Sequence, residues 1–205
     1  MSSLLVNLLT NPHHVLLIRE KLPPAFQTAE DELKGNPAVG LLREQVILGM
    51  LIAFLGDSNV RIAESGVEAD IDCYVDNQPL SIKTVTSSGG LRLKWTSNAV
   101  KAREFIQNYI PLSDLLVVRI VWGNSGSVRY IPLSSQQSTF QRLGERYLDY
   151  RPQTNTRGVN LSAEAEASLN RHPNSITLPM FWQRSETVVN PVDKWVRYWA
   201  ESPAP

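Results

Sequence analysis

The chain has 205 residues, of which 42% are hydrophobic, and its 20 basic and 20 acidic side chains give a formal net charge of zero. This composition predicts one globular domain with a hydrophobic core rather than a disordered chain. A neutral protein does not coat nucleic acid nonspecifically, so any nucleic-acid site must be a local basic patch. The single cysteine, Cys73, excludes an internal disulfide framework and a four-cysteine zinc site.

The N-terminal part of the sequence predicts two short helices, over residues 4–9 and 15–21. Asn11-Pro12 separates them, and Pro23-Pro24 is expected to end the second, because proline removes a helical hydrogen bond and clashes with the preceding turn.

The strongest helical pattern covers residues 38–55 and is apolar almost all round, as in a central buried helix. Its only acid is Glu44, and an unpaired buried carboxylate costs several kcal/mol. Arg43 is an unsuitable partner because adjacent helical residues point apart. A metal ion or Lys83 would satisfy Glu44.

From Val60 the hydrophobic pattern becomes alternating, which predicts a β-meander. Strands are expected near residues 60–62, 71–75 and 80–85, with a tight hairpin turn at Asp76-Asn77. This turn aligns Val75 with Gln78.

The same alignment sets Asp72 opposite Ser81 and Asp70 opposite Lys83, all on one face of the hairpin. Two carboxylates and an ammonium would then converge on a small area of the sheet. The opposite, buried face would carry Ile71, Cys73, Val75, Leu80 and Ile82.

The rest of the chain predicts strands at residues 91–95, 114–122 and 127–133, and helices at residues 98–109, 135–148, 162–170 and 192–200. The order of helix, meander, helix and central strand predicts an α/β (α+β) fold with a mixed central β-sheet flanked by helices.

At this hairpin the sequence resembles a known family. Ala69-Asp70-Ile71, followed by Ser81-Ile82-Lys83, is similar to the PD-(D/E)XK motif of the nuclease superfamily that includes many type II restriction endonucleases. Asp70 matches the metal-binding aspartate and Lys83, 13 positions later, the lysine. Glu44 resembles the acid that the family often supplies from the helix before the meander.

The resemblance implies a restriction-endonuclease-like core within a single nuclease domain over residues 1–205. Residues 38–133 would form the catalytic core, between an N-terminal helical segment (1–37) and a C-terminal helical region (134–205).

The sequence departs from the motif at Ser81, where the family has its second acid. Glu44, Asp72 or Glu104 could supply that acid instead. Asp70 ranks first as the metal ligand because the family's acid precedes an apolar strand. Asp72, 11 positions before Lys83, could also be the primary ligand.

The implied chemistry is phosphodiester hydrolysis with Mg²⁺ as the cofactor and Mn²⁺ able to substitute. Glu44, Asp70 and Asp72 are the candidate metal ligands. Lys83 would orient or deprotonate the attacking water and stabilise the transition state.

Basic residues after the hairpin are the candidate DNA contacts, together with Arg157 from the polar loop at residues 151–158. They are Arg92, Lys94, Lys101 and Arg103. His13, His14 and His172 lack metal-ligand spacing, so a zinc nuclease finds no support.

These features favour a type II restriction endonuclease that makes Mg²⁺-dependent double-strand breaks at a short DNA sequence. Cutting both strands symmetrically suggests a homodimer. Two alternatives remain: a structure-specific repair or mobile-element nuclease, and an inactive DNA-binding module that retains the fold, which Ser81 favours.

The longest apolar stretch, 11 residues, is about half of a bilayer span, and no secretory signal is evident, so a cytoplasmic protein with no membrane partner is expected.

Overall fold

The computed structural model describes residues 1–33, 39–64, 70–86, 90–151 and 153–185, and it confirms the predicted mixed α/β fold. Within these ranges the helices are α1 (Ser3–Thr10), α2 (Pro12–Glu32), α3 (Val39–Leu55), α4 (Ala99–Asn108), α5 (Leu133–Leu143) and α6 (Ala163–Asn170). The strands are β1 (Val60–Ile62), β2 (Cys73–Val75), β3 (Gln78–Thr86), β4 (Arg92–Trp95), β5 (Asp114–Ile120), β6 (Asn124–Ile131), β7 (Leu148–Asp149), β8 (Gly158–Leu161) and β9 (Ile176–Trp182).

Six strands form the central sheet in the order β1-β2-β3-β5-β6-β9. β3 and β5 run parallel, and the other neighbouring pairs are antiparallel. A parallel pair needs a crossover connection, which here contains β4 and α4. β4 also belongs to a smaller antiparallel sheet in the order β4-β8-β7.

The β2–β3 hairpin has the predicted alignment, with Val75 opposite Gln78. Asp76 and Asn77 both have positive φ, at 52° and 58°, as a two-residue turn of type I′ requires. β2 begins only at Cys73, so the chain before that residue is not part of the strand ladder.

The central sheet separates two hydrophobic cores. Leu80 and Ile82 on β3 belong to the core that also contains side chains from α1, α2 and α3. The neighbouring β5 residues Leu115 and Val117 belong to the other core, under the small sheet, α5 and α6. Because Ser81 and Lys83 are aligned with Leu115 and Val117, they lie on the second face.

The prediction that Pro23-Pro24 ends a helix is wrong, because α2 continues through both prolines to Glu32. Each interior proline costs about 3 kcal/mol of helix stability. Pro23 is buried beside Leu22 and Phe26, and the burial of this face against the core offsets the missing hydrogen bonds.

Two further predictions need correction. The C-terminal region expected to be helical also contains β7, β8 and β9, and β9 completes the central sheet by pairing with β6. α3 is less buried than expected, with Ile47, Leu48 and Leu51 as its buried residues.

The predicted helix at residues 192–200 and Ala69 of the motif lie outside the described residues. None of the helices in the described ranges is long and apolar enough to cross a bilayer.

Candidate active site

Asp72 lies where the β2–β3 ladder ends. Its backbone N–H donates to the Leu80 carbonyl at 3.0 Å. Beyond that point no β2 carbonyl pairs with β3, and the Asp72 carboxylate takes the place of that acceptor. Its Oδ2 accepts hydrogen bonds from the Ile82 backbone N–H at 2.5 Å and from the Ser81 hydroxyl at 3.2 Å. These bonds fix the carboxylate against β3. Its Oδ1 accepts no hydrogen bond from any residue that the structure describes.

Glu44 approaches the same point from α3. Burial raises its pKa, the negative charge of Asp72 raises it further, and the Lys83 ammonium partly opposes both effects. Glu44, Asp72 and Lys83 therefore form one electrostatically coupled group. Two neighbouring carboxylates repel each other, and a bound cation would relieve that repulsion.

Lys83 follows Ser81 by two positions on β3, so both side chains lie on the same face. Ser81 is buried and Lys83 is half-buried. Lys83 forms no ion pair with the part of the chain that the structure describes. Its ammonium group is therefore available to a ligand at this edge of the sheet.

Asp70 lies outside β2 and has a positive φ of 67°. Its half-exposed carboxylate forms an ion pair with Lys94 at 2.6 Å. The predicted alignment of Asp70 with Lys83 is therefore wrong, because the strand starts three residues later. Asp70 still lines the same cavity as Ser81 and Lys83, but Asp72 is the aspartate fixed against β3.

This cavity has a volume of about 170 Å³ and lies between β3, β4 and α4. Ile71, expected in the core, lines it instead, because the chain at this point has left the strand pattern. Phe105 and Tyr109 form part of its wall. Burial raises the pKa of the Tyr109 hydroxyl, and the charge of Asp70 adds to this, so the phenol stays neutral. This aromatic wall was not predicted from the sequence, although two aromatic residues at i and i+4 in a predicted helix are a usable signal.

The expected metal ligands do not all come together. Among the described residues no group of three or more His, Cys, Asp or Glu side chains is placed to hold one ion. Because Asp70 is engaged by Lys94 and Asp72 is fixed against β3, the contacts favour Asp72 over Asp70 within the predicted set of Glu44, Asp70 and Asp72, and the ligand assignment stays a prediction.

Glu44 and Asp72 nevertheless fit a hard cation. Mg²⁺ is commonly held by one or two carboxylates and keeps several waters. The Asp72 Oδ1, which accepts no hydrogen bond from the described residues, is a suitable ligand atom. The neighbouring Cys73 thiol is no competing soft ligand. Burial, with the charges of Asp72 and Glu44, raises its pKa to about 12, so it stays protonated.

The predicted DNA-binding residues fall into two groups. On the small sheet, the guanidinium groups of Arg92 and Arg157 lie over the Trp95 ring, with their Cζ atoms 4.5 Å and 5.0 Å from its centroid. Lys94, on the same sheet, is paired with Asp70. This group is cationic, exposed and next to the cavity.

The second group lies on the exposed surface of α4. Lys101 forms an ion pair with Glu104 at 2.7 Å, so this alternative acid is engaged on the helix surface. Arg103 is exposed and forms no ion pair within the described ranges.

Comparison with known proteins gives a family match and a structural match. The family model for restriction endonuclease ThaI matches residues 13–201 of the chain. A solved structure described as a restriction endonuclease in complex with substrate DNA is 34% identical in sequence, with a TM-score of 0.85. The match covers 96% of this chain and 99% of that chain. No curated protein matches the chain.

Proposed function

This chain belongs to the ThaI restriction endonuclease family, and from that premise we propose that it makes Mg²⁺-dependent double-strand breaks at a short, specific DNA sequence. Its identification as a type II restriction endonuclease is confirmed by the family match and by the solved relative. The observation that carries the proposal is the convergence of Glu44, Asp72 and Lys83 at one edge of β3.

In this proposal Asp72 and Glu44 hold the Mg²⁺ ion, with Mn²⁺ able to substitute. When bound, the ion neutralises charge on the scissile phosphate and lowers the pKa of a coordinated water. The Ile82 N–H holds one oxygen of Asp72, which leaves the other oxygen in a fixed position for the ion. Burial and the charge of Asp72 disfavour the ionised form of Glu44 unless a cation is nearby, so Glu44 is the second ligand.

Lys83 is proposed to act on the water and the phosphate. Its side chain lies on the same face of β3 as Ser81 and lines the cavity that Asp70 also lines. An ammonium in this place donates hydrogen bonds to the attacking water and stabilises the negative charge that develops on the phosphate. Ser81 is proposed to orient Asp72 through its hydroxyl rather than to replace the family's second acid.

Double-stranded DNA is proposed as the substrate, and the solved relative is a restriction endonuclease in complex with substrate DNA. Arg92, Arg103 and Arg157 are exposed cations that form no ion pair within the described ranges. Cutting both strands with one catalytic centre per chain calls for two copies related by a two-fold axis. We therefore propose a homodimer, which sedimentation of the protein with duplex DNA would detect.

The direct experiment is digestion of unmethylated phage DNA with Mg²⁺, followed by sequencing of the fragment ends. We expect discrete fragments with one shared end sequence, which EDTA and the Lys83→Ala substitution both abolish. Nicks that follow DNA structure rather than sequence would instead indicate a repair-type nuclease. DNA binding without cleavage, and no heat of Mg²⁺ or Mn²⁺ binding in calorimetry, would indicate the inactive module that Ser81 alone suggests.

A further inference from the structure

A cationic cluster lies on the outer face of the small sheet. We call Arg92, Trp95 and Arg157 the Trp95 cluster. The Trp95 side chain is half-exposed, at 51% of its full accessible area, although it is one of the largest apolar side chains of the protein. Both guanidinium groups lie within 5.0 Å of the centre of its ring. An exposed indole in contact with two arginines is an arrangement for contacting a ligand.

The strand register brings the cluster together. In the β4–β8 pair Arg92 is aligned with Asn160 and Trp95 with Gly158, so these residues share one face. The register shifts between Arg92 and Lys94, which is what allows Arg92 and Trp95 to face the same way. The Arg92 Nε also donates to the Asn160 amide oxygen, at 3.4 Å.

Arg157 is fixed at its backbone. Its carbonyl accepts hydrogen bonds from the Thr96 N–H at 2.8 Å and the Thr96 hydroxyl at 2.9 Å. The Asn155 amide oxygen accepts from the N–H groups of Gly158, at 2.9 Å, and Arg157, at 3.4 Å. A Cβ at position 158 would lie 2.4 Å from the Asn155 side chain and 3.1 Å from Arg92 Nε. A side chain at position 158 would therefore force the Asn155 side chain to move.

The charges of the cluster are not neutralised locally. Neither Arg92 nor Arg157 forms an ion pair with any residue in the described ranges. By contrast, Arg43, Arg146 and Arg151 each pair with a carboxylate. The terminal nitrogens of Arg92 and Arg157 make no hydrogen bond within the described part of the chain. The ring contacts both guanidinium groups without using their terminal N–H donors.

We propose that Arg92 and Arg157 read guanine bases in the recognition sequence, and that Trp95 is the positioning residue for both. This inference rests on the proposed function, since it assigns the sequence readout of that cleavage. The planar guanidinium matches the two acceptors on the guanine edge, O6 and N7, and this match requires a defined plane. A guanidinium can also bind a phosphate through two donors, but such a contact carries no sequence information, so base preference distinguishes the two kinds of contact.

The test separates base contacts from phosphate contacts by replacing arginine with lysine, which keeps the charge and removes the planar donor pair. The probe is a pool of DNA duplexes with a randomised core, bound in Ca²⁺ without Mg²⁺ and then sequenced. We expect the wild type to enrich a defined motif. Arg92→Lys and Arg157→Lys should each lose the preference for guanine at their own position. Each should bind the wild-type motif roughly 5- to 150-fold more weakly.

Three controls keep the result interpretable. Arg171 is an exposed arginine directly after α6 and is not part of the Trp95 cluster, so Arg171→Lys should leave both motif and affinity unchanged. Trp95→Phe keeps an aromatic face and should retain the motif, whereas Trp95→Ala should blur it. Melting temperatures of all variants would show that the exposed substitutions leave the fold intact.

The proposal is overturned if both lysine variants enrich the wild-type motif unchanged. It is also overturned if arginine-to-alanine variants lose affinity equally for all sequences and the number of counterions released on binding falls by about one. That pair of results would indicate phosphate contacts. Enrichment of no motif by the wild type would overturn it as well. Because binding is measured without cleavage, the digestion experiment judges the proposed nuclease activity separately.

Discussion

Replacing Asp72 with asparagine tests which of two nearby aspartates serves the reaction, with Asp70→Asn as the matched control. Asparagine has nearly the same shape as aspartate, and its amide oxygen can still accept the Ile82 N–H bond that is 2.5 Å long in the native protein. The substitution therefore removes the charge and keeps the contact.

The expected cost in stability is small and the expected cost in activity is large. Turning two charge-assisted hydrogen bonds into neutral ones costs about 1–2 kcal/mol, and the relief of repulsion with Glu44 partly offsets that loss. A domain of ordinary stability tolerates this loss. Loss of a metal ligand removes several kcal/mol of transition-state stabilisation, so the cleavage rate should fall by about a thousandfold or more.

Asp70→Asn should behave differently, because it breaks only the half-exposed ion pair with Lys94. Such pairs contribute about 0.2–1 kcal/mol to stability, and Asp70 is not one of the proposed metal ligands, so both the fold and the cleavage rate should stay close to those of the wild type. The assay is single-turnover cleavage of a supercoiled plasmid in Mg²⁺, with thermal melting of each variant. Asp72 is the wrong ligand if Asp70→Asn loses as much activity as Asp72→Asn, or if Asp72→Asn keeps more than about a tenth of the wild-type rate.

Three further predictions concern Glu44, Ser81 and Gly158. The pKa of Glu44 is raised in the folded state, so the folded protein binds the Glu44 proton more tightly than the unfolded chain does. The stability of the metal-free protein should therefore fall as pH rises through that raised pKa. Glu44→Gln should remove this fall and also shrink the increase in melting temperature that Mg²⁺ produces, and unchanged melting curves across pH and Mg²⁺ would contradict this. Ser81→Ala loses only the 3.2 Å bond to Asp72, so cleavage should stay within about tenfold of wild type; complete inactivity would instead make the Ser81 hydroxyl a ligand. Gly158→Ala should displace Asn155, cost about 1–2 kcal/mol in chemical denaturation and blur the selected DNA motif, whereas a wild-type motif would show that the close approach at Gly158 is not needed for readout.

The hairpin alignment could be predicted from the sequence because local chemistry determines it. Asp76 and Asn77 tolerate positive φ, and the alternation of apolar residues on either side leaves one register that buries them. The two faces of β3 follow from the same alternation, which is why Ser81 and Lys83 were correctly placed together.

The choice between Asp70 and Asp72 could not be made in this way. Alternation places both carboxylates on one face only within a continuous strand, and β2 begins only at Cys73, after both aspartates. The divergence of the chain before that residue frees the Ile82 N–H, and Asp72 is in reach to accept it. Where a strand ends depends on the tertiary packing around it, which the local pattern does not contain.

Tertiary packing also explains the errors in the helices. The proline pair in α2 is unfavourable by local rules, yet Pro23 and Phe26 are buried in the core that α2 shares with the sheet. β9 was not predicted from the sequence, and its Pro179 argues against a strand. As an edge strand paired only with β6, it tolerates that proline.

The most direct test of the catalytic centre is anomalous diffraction from crystals of the Lys83→Ala variant grown with Mn²⁺ and the duplex that the wild type cleaves. The proposal predicts an anomalous peak bonded to the carboxylates of Asp72 and Glu44, beside the scissile phosphate. A peak bonded to Asp70 without Asp72, or no peak at this edge of β3 at saturating Mn²⁺, would contradict it.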